Sequence, residues 1–218
     1  MRGGAIALTG AVLAASAAAW AFSAFKPEAR AAAAAPPVSG SAAAPAGNRL
    51  FLTRAQLDQA IASGTLDRPV KSLLAVKAPL HFGDYSWDDR GVPAGPTWIR
   101  IDLRSQLISV FRAGQEIGTA VIVFGGDNKQ TPSGKLHILG KARDHRSSLY
   151  DAQMPYTLRL TDDGVSIHAS SVRWGAATHG CIGVPLPFAE RLFNAASVGD
   201  EVTIVGSPPR KTASLAHR

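Results

Sequence analysis

The sequence predicts a mainly β fold with one or two short helices for residues 97–206. Apolar and polar residues alternate in several short segments of this region, which is the pattern of strands that bury one face. Turns that contain glycine separate neighbouring segments, as in the hairpins of a sheet. Within this region, only residues 187–196 show a clear helical period of apolar residues.

The clearest alternation begins at Thr97, where Ile99 and Ile101 lie on one side and Trp98 and Arg100 on the other. The other predicted strands are Leu107–Phe111, Glu116–Val123, Lys135–Leu139, Tyr156–Leu160, Val165–His168 and Glu201–Val205. The turns predicted between neighbouring strands are Ala113-Gly114 and Asp162-Asp163-Gly164. These elements predict a domain built largely from short hairpins.

Two helices are predicted. Thr53 and Gln56 have the spacing of a capping box, which indicates a short accessory helix that ends at Gly64. The second helix lies inside the β-rich region over Pro187–Ala196. Its apolar face consists of Phe188, Leu192 and Phe193.

The N-terminal segment is predicted to be an export signal or a membrane anchor. Met1-Arg2 is a short basic start, and no residue from Gly3 to Phe25 is charged. Residues 26–48 are rich in Ala, Pro and Gly, which indicates a flexible linker. We therefore expect a periplasmic or cell-envelope location, with an uncleaved inner-membrane anchor as one alternative.

A chain of 218 residues has room for one globular domain with additional segments. The patterns above divide it into five parts. They are 1–25, the signal or anchor; 26–48, the linker; 49–96, the accessory helix and an irregular segment; 97–206, the β-rich domain; and 207–218, a polar tail.

The charge of the chain limits the kinds of partner it suits. A net charge of +7 and an isoelectric point near 10.0 favour a location beside polyanions such as nucleic acid, anionic lipid or acidic wall polymer. The sequence has no Lys/Arg run and no cluster of aromatic and basic residues that would indicate a nucleic-acid groove. We therefore expect no nucleic-acid partner, and the sequence predicts no oligomeric state.

The strongest chemical signal is the single cysteine, Cys181. It lies two residues after His179 and thirteen residues after His168. A thiol with an ordinary pKa of roughly 8.5 is only a few per cent thiolate at neutral pH, so a nucleophilic cysteine needs a base or a cationic neighbour. His168 ends a predicted strand, where a rigid backbone can aim its ring, and is favoured as the base. His179 lies two residues before the cysteine, and Gly180 allows a tight turn that can present amides to an oxyanion.

The cysteine and the histidines could instead have either of two simpler roles. A lone cysteine is often an inert buried residue. His168, His179 and Cys181 could also bind zinc, but they lack the paired spacing of common zinc sites. We therefore expect neither a metal nor a cofactor.

These residues resemble the signature of a known family. Thr178-His179-Gly180-Cys181-Ile182, preceded by Ile167-His168, is similar to the motif of the YkuD-like L,D-transpeptidase catalytic domain. The resemblance covers about residues 97–206. It includes three further motifs upstream: the Trp98–Arg112 hairpin, Thr131-Pro132-Ser133-Gly134 and Met154-Pro155-Tyr156.

The resemblance implies a β-sandwich-like catalytic domain that acts on peptidoglycan stem peptides through a cysteine acyl-enzyme. It implies that Cys181 is the nucleophile and His168 the base, and that the carbonyl of Ala169 orients the ring of His168. His179, Gly180 and Thr178 are expected to shape the acyl pocket. The expected reaction is transfer of a tetrapeptide stem to an amine of a neighbouring stem or to a free D-amino acid.

The chain departs from the family pattern at two points. The spacer between His168 and Thr178 is shorter than in many members, and Gly183 stands where an arginine usually follows the cysteine. An anionic donor calls for a cation near the nucleophile. Arg173 lies in the shortened spacer and is the candidate for this role.

Two alternative functions are open. On the same site, water could take the acyl group, which would make the protein an L,D-carboxypeptidase or a cross-link hydrolase. A catalytically silent wall-binding module would also be consistent with the basic charge.

Overall fold

The computed structural model describes residues 48–126, 129–147 and 151–206. In these parts the chain is mainly β with two helices, which confirms the predicted fold class. The strands are β1 Arg49–Leu50, β2 Leu73–Leu74, β3 Tyr85–Trp87, β4 Thr97–Asp102, β5 Leu107–Arg112, β6 Gln115–Val121, β7 Gly134–His137, β8 Gly140–Ala142, β9 Thr157–Arg159, β10 Ser166–Ala169, β11 Ile182–Val184 and β12 Glu201–Val205. The helices are α1 Arg54–Ala62 and α2 Leu186–Ala195.

The predicted signal or anchor, nearly all of the predicted linker and the polar tail lie outside the described residues. Within the parts that the structure describes, no helix is long and apolar enough to cross a membrane.

Two sheets form the β-rich domain. The larger has six strands in the order β3-β6-β5-β4-β12-β7, and the smaller has four in the order β11-β10-β9-β8. Most neighbouring strands are antiparallel, but β4 pairs with β12, and β10 with β11, in parallel. The turn predicted at Ala113-Gly114 joins β5 to β6, and both of its residues have positive φ, as a tight hairpin turn requires.

One apolar core is shared by the two sheets and α2. Ile99 and Ile101 contribute from the larger sheet, Ile167 from the smaller sheet, and Phe188 and Leu192 from α2. Each of these side chains is at most 1% exposed. Burial of an aliphatic or aromatic side chain contributes about 1.5–3 kcal/mol, so this core holds the two sheets in a fixed relation.

The accessory segment covers the other face of β4 and β5. Trp98 stacks on Phe111 with ring centroids 4.0 Å apart, and both side chains are buried. The guanidinium of Arg68 lies 4.5 Å from the centroid of the Trp98 ring. The predicted capping box of α1 is present, because Thr53 and Gln56 bind each other's backbone amides.

Five strands are absent from the predicted set. They are β1, β2 and β3, which lie in the accessory segment 49–96, and β8 and β11. Each has only two or three residues, which leaves little room for an alternating pattern in the sequence. The strand β9 also has three residues, but it was predicted within the longer segment Tyr156–Leu160. The strand β11 matters most, because it follows Cys181 directly.

Candidate active site

A cavity of about 480 Å³ is lined by residues of the smaller sheet and of the loops beside it, and its lining includes the only cysteine of the chain. Of the residues that the sequence predicts for the site, Cys181, His168, His179 and Thr178 line this cavity. Side chains that the sequence did not indicate also contribute, among them Lys129, Asp163 and Ser170.

The pairing of β10 with β11 brings the cysteine and the first histidine together. In this parallel pair His168 is opposite Gly183, and Ile167 is opposite Ile182. Side chains alternate between the two faces of a strand, so residue 181 lies on the same face as residue 183 and therefore on the face of His168. Two strands that are adjacent in space thus supply a thiol and an imidazole to one cavity.

A main-chain carbonyl fixes the ring of His168. Its Nδ1 lies 2.8 Å from the carbonyl oxygen of Ala169. Because a carbonyl oxygen can only accept, Nδ1 carries the proton and donates it, which leaves Nε2 as an acceptor. Burial lowers the pKa of His168 from its ordinary value, although the Ala169 carbonyl acts in the opposite direction. The ring is therefore neutral at neutral pH and able to accept a proton.

The thiol of Cys181 is partly buried in this cavity. Its Sγ lies 3.8 Å from the carbonyl oxygen of Gly164. Burial raises the pKa of Cys181, while the backbone amide of Ser166 and the charge of Lys129 lower it, and Asp163 raises it further. A neutral thiol beside a neutral imidazole suits a proton transfer that accompanies attack, rather than a preformed ion pair.

Hydrogen bonds hold the turn before the cysteine. Gly180 has φ +99, a left-handed conformation that favours glycine. The hydroxyl of Thr131 donates to the Gly180 carbonyl at 2.9 Å and accepts from the amide of Gly125 at 2.9 Å. The hydroxyl of Thr178 donates to the carbonyl of Cys181. These contacts fix the backbone on which Sγ is carried.

Gly183 has no space for a side chain. A Cβ atom built on this residue would lie 2.7 Å from Cβ of Ser170 and 2.7 Å from Cγ2 of Val123. The backbone is also fixed, because Gly183 exchanges amide-to-carbonyl hydrogen bonds with Val123 at 2.8 and 3.0 Å. The arginine expected from the family pattern is therefore replaced by tight packing of the strand against its neighbours.

Arg173 is not among the residues that line the cavity. It is exposed, on the connection between β10 and β11, and the neighbouring Trp174 is 84% exposed. The role predicted for Arg173 therefore remains a prediction from the sequence.

An ion pair at the cavity was not predicted from the sequence. Nζ of Lys129 lies 2.9 Å from Oδ2 of Asp163. Asp163 was predicted only as a turn residue, but that turn leads into β10 and therefore lies close to the cysteine. No local pattern in the sequence indicates Lys129, because it reaches the site only through the packing of separate loops.

The described residues contain no group of three or more His, Cys, Asp or Glu side chains that could hold a metal ion.

Comparisons with known proteins identify similar chains. A family model described as the YkuD L,D-transpeptidase catalytic domain matches residues 96–204. The curated L,D-transpeptidase 1 of Mycobacterium tuberculosis is 28% identical over 121 residues, which are 48% of this chain and 48% of that protein. The chain thus spans about half the length of the curated relative it matches.

Solved structures of similar proteins were also found. An L,D-transpeptidase from Stackebrandtia nassauensis has 23% sequence identity and a TM-score of 0.49, and the match covers 54% of this chain and 58% of that one. An L,D-transpeptidase from Mycobacterium smegmatis has 20% identity and a TM-score of 0.48, with 50% and 58% covered.

Proposed function

The chain belongs to the YkuD family of L,D-transpeptidase catalytic domains, and on this premise we propose that it is a peptidoglycan L,D-transpeptidase that acts through a cysteine acyl-enzyme. One observation carries the proposal. The only cysteine of the chain shares a cavity with His168, whose Nδ1 is bound to the Ala169 carbonyl, so that Nε2 is available as a base. The family membership supplies the substrate class, a peptide stem of the cell wall.

In the first half-reaction Cys181 attacks the carbonyl that follows the L-centre of the diaminopimelate residue in a tetrapeptide stem. The thiol proton passes to Nε2 of His168 as the Sγ–C bond forms. The C–N bond to the terminal D-alanine then breaks, and the amine leaves with the proton held by His168. The product is a thioester between Cys181 and the stem.

The turn at Gly180 supports stabilisation of the oxyanion. Attack on the carbonyl moves negative charge onto its oxygen, and fixed main-chain N–H groups beside the nucleophile stabilise this charge. The left-handed φ of Gly180 and the hydrogen bond from Thr131 hold the main chain in place next to Cys181. We assign His179 and Thr178 to the walls of the acyl pocket.

In the second half-reaction an amine replaces the thiolate. His168 takes a proton from the amine as its nitrogen attacks the thioester carbonyl. The C–Sγ bond then breaks, and His168 returns the proton to Sγ, which restores the neutral thiol and imidazole. When the amine belongs to a neighbouring stem the product is a cross-link, and when it is a free D-amino acid the product is an exchanged stem. The reaction needs no cofactor, because the thioester retains the free energy of the broken amide bond.

An exported protein suits this substrate. The uncharged stretch from Gly3 to Phe25 supports passage across or into the inner membrane, and the net charge of +7 favours residence next to acidic wall polymers. These features of the sequence support the proposal that the protein acts in the periplasm or cell envelope.

The test is to incubate the protein with purified disaccharide-tetrapeptides and weigh the products. Transpeptidation gives a dimer whose mass is two monomers less one D-alanine, and Cys181→Ser gives none. Tripeptide without dimer would mean that water is the acceptor, which would make the protein an L,D-carboxypeptidase. Unchanged substrate with folded protein would favour a silent wall-binding module.

A further inference from the structure

The cavity beside Cys181 has one permanently charged cation among its described lining residues, and that residue is Lys129. Its aliphatic stem lies over Gly180, because a Cβ built on that glycine would be 3.3 to 3.4 Å from Cγ, Cδ and Cε of the lysine. Its carbonyl oxygen is packed against Gly125, where an added Cβ would approach it to 2.3 Å. The stem of Lys129 is thus held against the turn that carries the nucleophile.

Asp163 is a partner that Lys129 can exchange for another carboxylate. Nζ binds Asp163 at 2.9 Å, but the lysine side chain is 35% exposed and that of Asp163 is 65% exposed. Ion pairs open to water contribute little, with measured values of about 0.2–1 kcal/mol, so a carboxylate from a bound molecule can replace that of Asp163 at small cost. The hydroxyl of Thr161 also bonds Asp163, and can retain it when Lys129 is released.

Both charges of this pair act on the reacting sulfur. Lys129 lowers the pKa of Cys181 and Asp163 raises it, so each lies within electrostatic reach of Sγ. A carboxylate that takes the place of Asp163 would therefore lie in the same cavity as the nucleophile.

The two other sources of a cation do not reach this place. Gly183, where the family pattern has an arginine, has no room for any side chain. Arg173 is exposed and does not line the cavity.

We propose that Lys129 binds a free carboxylate of the acyl donor next to the carbonyl that Cys181 attacks, and that this carboxylate displaces Asp163. The identity of the donor rests on the proposed function, whereas recognition of a carboxylate beside the thiol does not. In a tetrapeptide stem the carboxylate can come from the terminal D-alanine or from the side chain of diaminopimelate. Lys129 is thus a specificity-determining residue for anionic donors.

Two alkylating reagents that differ in one group test this inference without any peptidoglycan. Iodoacetate and iodoacetamide both alkylate Cys181, since Sγ attacks the methylene carbon and iodide leaves, but only iodoacetate carries a carboxylate. Cys181 is the only cysteine, and the Cys181→Ser variant measures alkylation at any other residue, so the intact mass corrected in this way reports this site. A substitution that changes only the reactivity of the thiol alters both alkylation rates by the same factor. The ratio of the iodoacetate rate to the iodoacetamide rate therefore reports recognition of the carboxylate. In Lys129→Gln we expect the iodoacetate-to-iodoacetamide ratio to fall by about fivefold or more.

Three further variants make the result specific. Lys129→Arg keeps the charge and should keep most of the ratio. Lys135→Gln removes the same charge from an exposed position outside the cavity and should leave the ratio unchanged. An unchanged ratio in Lys129→Gln, or an equal fall in Lys135→Gln, would overturn the inference. If the iodoacetate-to-iodoacetamide ratio fell in Arg173→Ala and not in Lys129→Gln, the inference would be overturned, and Arg173 would be the residue that binds the carboxylate.

Donors with one carboxylate converted to an amide identify the source. We expect Lys129→Gln to lower kcat/KM on the tetrapeptide about fivefold or more. When the carboxylate that Lys129 binds is converted to an amide, the variant and the parent protein should have the same kcat/KM. A difference that persisted with both amidated donors would overturn the assignment to the donor. If no donor reacts with the parent protein, the proposed function fails, and the alkylation ratio alone decides whether Lys129 recognises a carboxylate.

Discussion

Nδ1 of His168 lies 2.8 Å from the carbonyl oxygen of Ala169, and this contact decides which nitrogen of the ring can take a proton. The carbonyl binds the Nδ1 proton and turns Nε2 into the acceptor. The same residue lies near the end of β10, whose parallel neighbour β11 follows Cys181. Ring tautomer and sheet pairing together make His168 the preferred base of the proposed reaction.

We predict that His168→Ala lowers the acylation rate more than His179→Ala does. General-base assistance typically contributes about 10²–10⁴-fold, whereas a residue that only shapes the pocket wall contributes less. Single-turnover kinetics with a tetrapeptide donor measures both variants, and circular dichroism confirms that they are folded. The reverse order would assign the base to His179.

The acid limb of the pH–rate profile should lie below the ordinary histidine value. Burial lowers the pKa of His168 from 6.5, so the ring stays neutral, and competent as a base, down to a lower pH. Activity is lost only as pH falls through this lowered pKa, because a protonated ring cannot accept the thiol proton. The profile of kcat/KM against pH measures the midpoint, and His179→Ala should retain it. A midpoint at or above 6.5 would contradict the assignment.

Gly183→Ala should destabilise the protein. An added Cβ would lie 2.7 Å from atoms of both Ser170 and Val123, and overpacking of this kind costs about 1–3 kcal/mol. Urea denaturation measures the change in the free energy of unfolding. Gly140→Ala is the matched control, because its nearest neighbour would be 3.8 Å away, and it should change stability little. Equal effects of the two substitutions would show that the packing around Gly183 can relax.

Carbapenem-type β-lactams should acylate Cys181. The family membership implies a pocket that admits a strained amide beside the thiol, and the cavity of about 480 Å³ is within the usual range for a drug-sized ligand. The intact mass should rise by one inhibitor in the parent protein and stay unchanged in Cys181→Ser. An adduct on any other residue would place the reactive site elsewhere.

The long strands of the domain were predictable because each has enough residues to display alternation between its two faces. For β4 this held even though the accessory segment covers its second face through Trp98. The strands β1, β2, β3, β8 and β11 have two or three residues each and were not predicted. Their existence depends on the neighbouring strands with which they pair.

The candidate site also contains residues that the sequence predicted and residues that it did not. Cys181 and His168 were predicted as site residues because their chemistry is rare and their spacing resembles a family motif, and the structure brings both to one cavity. Lys129 was not, because its position over Gly180 results from contacts between loops that are distant in the sequence. The lack of space at Gly183 was equally invisible, since it depends on Ser170 and Val123 from other parts of the chain.

The central claim is that Cys181 carries the donor stem as a thioester. Rapid mixing of the protein with a disaccharide-tetrapeptide, followed by acid quenching and mass spectrometry, tests it directly. We expect a mass increase equal to the donor less one D-alanine on the peptide that contains Cys181, and no such increase in Cys181→Ser. Release of D-alanine by the Cys181→Ser variant, or an adduct on a peptide without Cys181, would contradict this mechanism.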